Sequence, residues 1–366
     1  MADNMTIELN NIRRDSDFGN GRVNKKDSVI VETFAALANG KTNVNDNAVK
    51  AIKEMAQKAS EGDSHAASEL NALRRFTIEP LLMEEIKLMG LFGTYKPLAW
   101  GDSIEREVYA HAGDKSRFQA NAGDVVFPGI EKDIYPVAPV TISGGYAVDY
   151  RALANGDAQK ENEGMEQVRR DIRNKASLYV VKTLYHAIKN ATGVKYWAEA
   201  SGISQASLDN IVKNVRRFGK TSIIGDYSVV SQINNFIGWS DGSSNYGVAD
   251  AAMEEIRKNG LIGMYKGSVV KELENAFDLT QTAGSPLNFK TLLPEGLLFV
   301  LPTGVESPVM TWTRGGLTSM TGNDPATGKI LTRFDLEVAA DVAKGREFEI
   351  GLMNDTSLTP ATEYNF

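Results

Sequence analysis

Between residues 160 and 190 the sequence carries one sustained helical pattern, and that length constrains the fold more than any other feature. Met165, Val168, Ile172, Ala176, Tyr179, Leu184 and Ile188 recur at steps of three to five. Arg169, Arg170, Asp171, Arg173 and Lys175 crowd the opposite side, so the helix is amphipathic. At 1.5 Å per residue it is ~45 Å long. A compact sphere of this chain length has a radius of gyration of only ~21 Å. One helix nearly crosses the molecule, and an elongated or flattened domain is the simpler expectation.

Of the 366 residues, 42% are apolar, enough for a sizeable core. There is no cysteine, which removes disulfides, thiolate nucleophiles and Cys-ligated metal centres together. The net charge of −7 gives no whole-chain basic footprint for nucleic acid. No segment approaches the length of an apolar membrane span, and "MADNMTIELNNIRRDSDF" holds no apolar stretch of signal-peptide length. The expectation is a cytoplasmic product, in which the sequons at Asn4, Asn190 and Asn354 carry no meaning.

Residues 1–27 are polar and suggest an arm. Val29, Val31, Phe34 and Leu37 suggest a first helix. "NDNAVKAIKEMAQKA" suggests a second, capped by Asn45 or Asp46, and "SHAASELNALRRF" a third. Ile78, Leu81, Leu82, Ile86, Leu88, Leu91 and Phe92 form an apolar connecting segment over 76–100. "SIEREVYAHAGDKSRFQANAGDVVF" then suggests two strands around a long polar loop, with Ile104, Val108, Val125, Val126 and Phe127 as its few core formers. A two-stranded ribbon is marginal alone in water and must lie on something else. "VTISGGYAVDY" alternates as a half-buried strand before the long helix.

From 202 to 304 helices and strands mix: "SLDNIVKNVRRFG", "TSIIG", "SVVSQINNFIGW", "VADAAMEEIRKNG", "GSVVKELE" and "GLLFVLPTG". In "RFDLEVAADVAKGREFEIGL", Phe334, Leu336, Val338, Ala340 and Val342 alternate, then Phe348, Ile350 and Leu352 follow a tight 343–345 connection. The spacing predicts a terminal hairpin.

Chemistry finds little to work with. His65, His111 and His186 are the only histidines. His186 has no carboxylate at helical spacing and reads as a packed histidine. Glu107 and His111 are four apart in a strand-like context that does not align them, and Glu61, Asp63, His65 and Glu69 cluster at a helix start, where a solvated face fits better than a metal site. "GNDPATGK" at 322–329 has five residues between its glycines and Ile330 where a phosphate loop needs a hydroxyl, so it reads as a turn between strands. "GNG" at 19–21 lacks the third glycine of a dinucleotide fingerprint, and there is no G-x-S-x-G elbow. No catalytic set, cofactor site or metal site emerges.

The order of parts resembles the major capsid proteins of tailed bacteriophages, the Hong Kong 97 type fold. The shared features are a polar arm, an extended two-stranded loop, a strand, a very long helix, a mixed insertion and a final strand pair. The resemblance implies an α+β fold with an N-terminal arm, an extended E-loop hairpin, a long spine helix on a β-sheet (the P-domain) and a mixed α/β A-domain. On that likeness 1–75 is a helical N-terminal extension, 76–100 the N-arm and 101–136 the E-loop. The P-domain takes 137–201 and 305–353, with the spine helix at 160–190. The A-domain takes 202–304, and 354–366 is a tail.

The resemblance further implies a structural protein that self-assembles through pentamers and hexamers into an icosahedral shell. Such a shell is built in the host bacterial cytoplasm and becomes part of the virion. It encloses double-stranded DNA without reading its sequence and takes scaffold, portal and decoration proteins as partners. Inter-subunit contacts are expected at Arg13, Arg14, Lys115, Arg117, Phe118, Phe127, Arg169 and Arg170. Some family members crosslink an E-loop Lys to an Asn of a neighbour, which turns attention to Lys115, Asn354, Glu347 and Glu349. An encapsulin-type compartment, and more remotely a hydrolase or metal enzyme, are the alternatives.

Overall fold

The structure, a computed structural model, describes residues 25–38, 45–109, 118, 132–149, 151, 158–236, 258, 260–283, 287–304, 306–324 and 326–358. Three helices open it: α1 (Lys25–Ala38), α2 (Asp46–Ser60) and α3 (Ser64–Ile86). Asn45 caps α2 through its side-chain oxygen, which accepts from the backbone N–H groups of Asn47 and Ala48. Asp63 does the same for His65 and Ala66 at the start of α3. α3 runs across residues 75–76, where composition suggested a boundary, and continues through Pro80. A mid-helix proline costs ~3 kcal/mol. Burial of Phe76, Ile78, Leu82 and Ile86, at ~1.5–3 kcal/mol each, outweighs it. Only 87–100 is left as a non-helical connection, through a 3₁₀ turn at Lys87–Leu91.

The strands follow the chain as β1 (Thr94–Leu98), β2 (Glu105–Tyr109), β3 (Lys132–Pro136) and β4 (Val140–Asp149). Next come β5 (Tyr196–Ala200), β6 (Lys220–Gly225), β7 (Met264–Tyr265) and β8 (Ser268–Glu272). Then β9 (Phe277–Ala283), β10 (Asn288–Thr291) and β11 (Leu297–Thr303) precede β12 (Val309–Asp324), β13 (Lys329–Val342) and β14 (Gly351–Asp355). A four-stranded sheet has the order β1-β12-β13-β4, and a six-stranded sheet the order β5-β14-β11-β6-β8-β7. β2–β3 and β9–β10 stand as separate antiparallel ribbons.

The long helix α4 spans Ala158–Lys189, 32 residues, and its expected stripe is the buried one. Met165, Val168, Ile172, Ala176, Leu184 and Ile188 are all buried, joined by Val180, Val181 and Tyr185. The helix lies on the four-stranded sheet against Phe334, Leu336 and Val338 of β13. Two glycines set its approach to β4. A methyl group at Gly144 would sit 2.9 Å from Val168, and one at Gly164 would sit 2.7 Å from the Tyr146 ring. The helices α1–α3 share this core, so the N-terminal region is packed into the body of the molecule.

β11 explains its own unbroken apolar run. Leu297, Phe299 and Leu301 face the core shared with α4, whereas Leu298 and Val300 face α5 (Gln205–Val215) on the other side. Both faces are covered, so no polar alternation is needed.

Two expectations are corrected. The ribbon expected over 103–127 returns at β3, with Glu105 opposite Pro136 and Tyr109 opposite Lys132. Val125, Val126 and Phe127 lie outside the described residues. The terminal hairpin does not form. β13 pairs with β12 around the 324–329 turn, while β14 inserts between β5 and β11 of the other sheet. Every residue of β14 is buried, which an edge hairpin partner could not provide. Arg346 fixes the crossing, bonding Glu349 at 2.8 and 2.9 Å and the Glu306 carbonyl at 3.2 Å. The helix expected over 248–260 lies, apart from Lys258 and Gly260, outside the described residues.

Candidate assembly surface

The β2–β3 ribbon has an anchored root and an uncovered outer part. At the root Arg106 is buried, and its Nη2 donates to the carbonyls of Ser307 and Pro308 at 3.1 and 3.3 Å. Its Nε and Nη1 have no partner among the described residues. Burial pushes the Arg106 guanidinium below its ordinary value, against the pull of Asp341, Tyr135 and Glu306. From the second strand the Tyr135 hydroxyl donates to Asp341 at 2.7 Å, and Lys344 lies 4.3 Å over the Tyr135 ring. Burial leaves the Asp341 carboxyl above its usual range despite the Tyr135 bond and the Arg106 charge. Further out, Tyr109 and Ile134 are half exposed and Phe118 fully so. The Lys132–Glu107 pair, at 2.7 Å, is solvent-facing.

Of the other expected contact residues, Arg13, Arg14, Lys115, Arg117 and Phe127 lie outside the described residues. Arg169 is turned inward to its own chain, pairing with Glu166 on α4 and with Glu85 on α3 at 3.4 Å. Arg170 is exposed. Asn354 is fully buried and its side-chain amide donates to Glu199 at 3.0 Å, which puts it out of reach of a neighbour's lysine. Glu349 is buried against Arg346.

A concavity of about 1000 Å³ lies between the C-terminal end of α4 and the β13–β14 crossing. Lys182, His186, Asp341 and Glu347 line it beside Val140, Val194 and Phe348. Burial, then the charges of Lys182 and Lys189, push the His186 imidazole down. Its ring packs against Tyr185 with centroids 5.6 Å apart. Among the described residues no group of three or more His, Asp and Glu side chains could hold a metal ion.

Sequence reasoning missed two buried polar clusters. Arg74 on α3 is fully buried and forms a forked pair with Glu161 on α4, at 2.7 and 2.9 Å. The Tyr146 hydroxyl donates to the same carboxylate at 2.7 Å, and Arg74 also donates to Thr321 of β12 at 3.1 Å. In the second cluster Asp355 of β14 accepts from the Gly202 N–H at 2.7 Å, Gln232 at 2.6 Å and Ser357. Glu161 and Thr321 lie 87 or more residues from Arg74, and Gly202 and Gln232 lie 123 or more from Asp355, so no local pattern announces either cluster.

A single long helix on a twisted sheet, a second sheet continuing beyond it and an anchored projecting ribbon define the capsid-subunit class. The model of a family described as "SPbeta prophage-derived putative capsid protein YonB" matches residues 8–354. The chain belongs to that family, and its role is structural. No curated protein sequence matches the chain. Among solved structures it is similar to the bacteriophage PhiM1 mature capsid, at 11% identity and TM-score 0.45, covering 72% of this chain and 85% of that one. Mycobacterium phage Patience matches at 13% identity and TM-score 0.45, covering 78% and 88%. A virus-like particle from Pyrococcus furiosus matches at 9% identity and TM-score 0.44, covering 76% and 97%.

Proposed function

We propose that the chain assembles with copies of itself, through pentamers and hexamers, into an icosahedral phage shell around double-stranded DNA. Assembly takes place in the cytoplasm of a bacterial host, with scaffold, portal and decoration proteins as further partners. The carrying observation is the ribbon: its root is locked by Arg106 and Tyr135, yet Tyr109, Ile134 and Phe118 stay uncovered. A two-stranded ribbon gains burial by lying across another body, and identical neighbours supply one. Lys115, Arg117, Phe118 and Phe127 belong to that contact in this reading, with Arg13, Arg14 and the exposed Arg170 as charged contacts. The β1-β12-β13-β4 sheet with α4 plays the P-domain, and the six-stranded sheet outward of β14 the A-domain.

Sedimentation and negative-stain electron microscopy of the expressed chain test this. Closed shells or rings of five or six support it, and a monomer at high concentration sinks it. Deleting 112–122 should block particles while leaving a folded monomer with a wild-type circular dichroism spectrum.

A further inference from the structure

The six-stranded sheet carries opposite charge at its two ends, and strand direction is the reason. β6 and β8 run parallel, with Ser222 opposite Val269 and Gly225 opposite Glu272. At the end where both strands begin lie Lys220 and the Lys266–Gly267 turn of β7–β8, and α5 delivers its C-terminus there with Lys213, Arg216 and Arg217. All five cations are exposed. Among the residues lining this end, the one carboxylate, Asp209, is already engaged by Lys266 at 2.6 Å and the Tyr265 hydroxyl at 2.7 Å. Among the described residues no carboxylate pairs with Lys213, Arg216, Arg217 or Lys220. Arg216 is held in place by donating to the Lys266 carbonyl at 2.6 Å. Lys213, Arg216, Arg217 and Lys266 line a groove of about 470 Å³ with Asp209 and Val212.

The other end, where β6 and β8 finish and β11 starts, collects the exposed Glu272 and Glu274, the half-buried Glu295 and the buried Asp226, with Arg173 of α4 reaching Glu274 at 3.4 Å. Burial, then the Asp226 charge, push the Glu295 carboxyl up. The β9–β10 ribbon leaves from this same end. Asn275 fixes its base, donating to Asp226 and to the Leu293 carbonyl at 2.8 Å each. Yet Phe277, Leu279, Leu287 and Phe289 on it are 43–75% exposed. The basic end offers a matching apolar pair, Met264 and Val269, directly opposite each other and both exposed.

We propose that the acidic, ribbon-bearing end of this sheet in one copy docks on the basic end of the next copy. The contact is head-to-tail, and repeated by rotation it closes into a ring. Charge selects the orientation, because like ends repel, and the β9–β10 residues fill the contact against Met264 and Val269. This rests on the shell-subunit reading and supplies the surface by which its rings form.

The test uses the full chain in sedimentation velocity with electron microscopy. If the wild type does not assemble, the shell reading fails and this inference falls with it. Given wild-type assembly, Lys213→Glu with Arg217→Glu should lower ring formation at least roughly tenfold, as should Glu272→Lys with Glu274→Lys. Carrying all four substitutions in one chain should restore it, and mixing the two variants should restore rings of six, in which they can alternate. Should a reversal lower the monomer's melting temperature, Lys213→Gln with Arg217→Gln gives the same readout. Normal assembly of either reversal, or no restoration by the combined swap, overturns the proposal. Intact rings with lost retention of a duplex DNA fragment would also overturn it, and assign the basic end to nucleic acid.

Discussion

The guanidinium of Arg74 and the carboxylate of Glu161 meet in a fork, both 1% exposed or less, joining the third helix to the first turn of the long one. Burial alone would push the Arg74 guanidinium down. The neighbouring Tyr146 and the Glu161 charge and bond outweigh it, and Arg74 stays above its ordinary value. The pair makes the N-terminal helices a permanent part of the subunit.

Removing one member leaves the other charge buried without a counter-ion. Arg74→Ala should cost ~3–5 kcal/mol of unfolding free energy in a denaturant titration of the monomer. Replacing both members with apolar or neutral groups of like size, Arg74→Met with Glu161→Gln, should recover much of that. A double variant no better than the single one would refute the buried-pair account.

Truncation follows the same logic. A chain starting at residue 76 cuts α3 in half and removes Leu70, Leu73 and Arg74 from the core. It should be insoluble or molten, whereas a chain starting at residue 25 keeps all three helices and should give a cooperative melt. Cooperative melting of the shorter chain would show the helices to be dispensable.

Asp355 gives a pH dependence with a definite sign. Burial pushes its carboxyl up, but donors from Gln232, Ser357 and Gly202 prevail and hold it below the usual range. A depressed carboxyl contributes stability that is complete above its unfolded value of ~3.9 and is lost as pH falls through the folded value. Asp355→Asn should therefore lower stability at pH 7 and flatten the fall in stability at acid pH. An unchanged slope in acid titrations followed by fluorescence counts against the bonding described.

Asp341 has the opposite sign. Its carboxyl is raised, so the folded chain holds that proton more tightly than the unfolded one. The charged form costs stability above the folded value, and the cost vanishes as pH falls through the unfolded value. Asp341→Asn should compare more favourably with wild type at pH 7 than at pH 3, measured by urea unfolding at each pH.

The helix–sheet approach is equally testable. Gly164→Ala places a methyl 2.7 Å from the Tyr146 ring, with backbone fixed on both sides. Overpacking of this kind costs ~1–3 kcal/mol, although Ala is the better helix former. A stabilised Gly164→Ala protein would mean that the helix can lift off β4.

Much of this architecture is written locally. The stripe from Met165 to Ile188, the Asn45 cap and the 322–329 turn each follow from residues within a few positions of one another. What is not local could not be read. Ala343–Lys344–Gly345 has the composition of a hairpin turn, but whether β14 folds back on β13 is decided by where Leu352 and Met353 find cover on both faces. That α3 continues past residue 76 and through Pro80 could not be read either, because the buried partners of Ile78 and Leu82 come from distant parts of the chain. The clusters around Glu161 and Asp355 are invisible for the same reason. The two charged ends of the six-stranded sheet emerge only once strand direction is known.

The place of β14 also sets a clock. It fills the gap between β5 and β11, so until residues 351–355 have been synthesised both neighbours present unpaired edges. A chain that still lacks them can wind its long helix and pair β12 with β13, but it cannot close its larger sheet. Completion of that sheet, and with it the spacing of the sheet's two ends, waits for residues 351–355. The last strand to be made is thus the one that seals the two edges a stray neighbour could otherwise pair with.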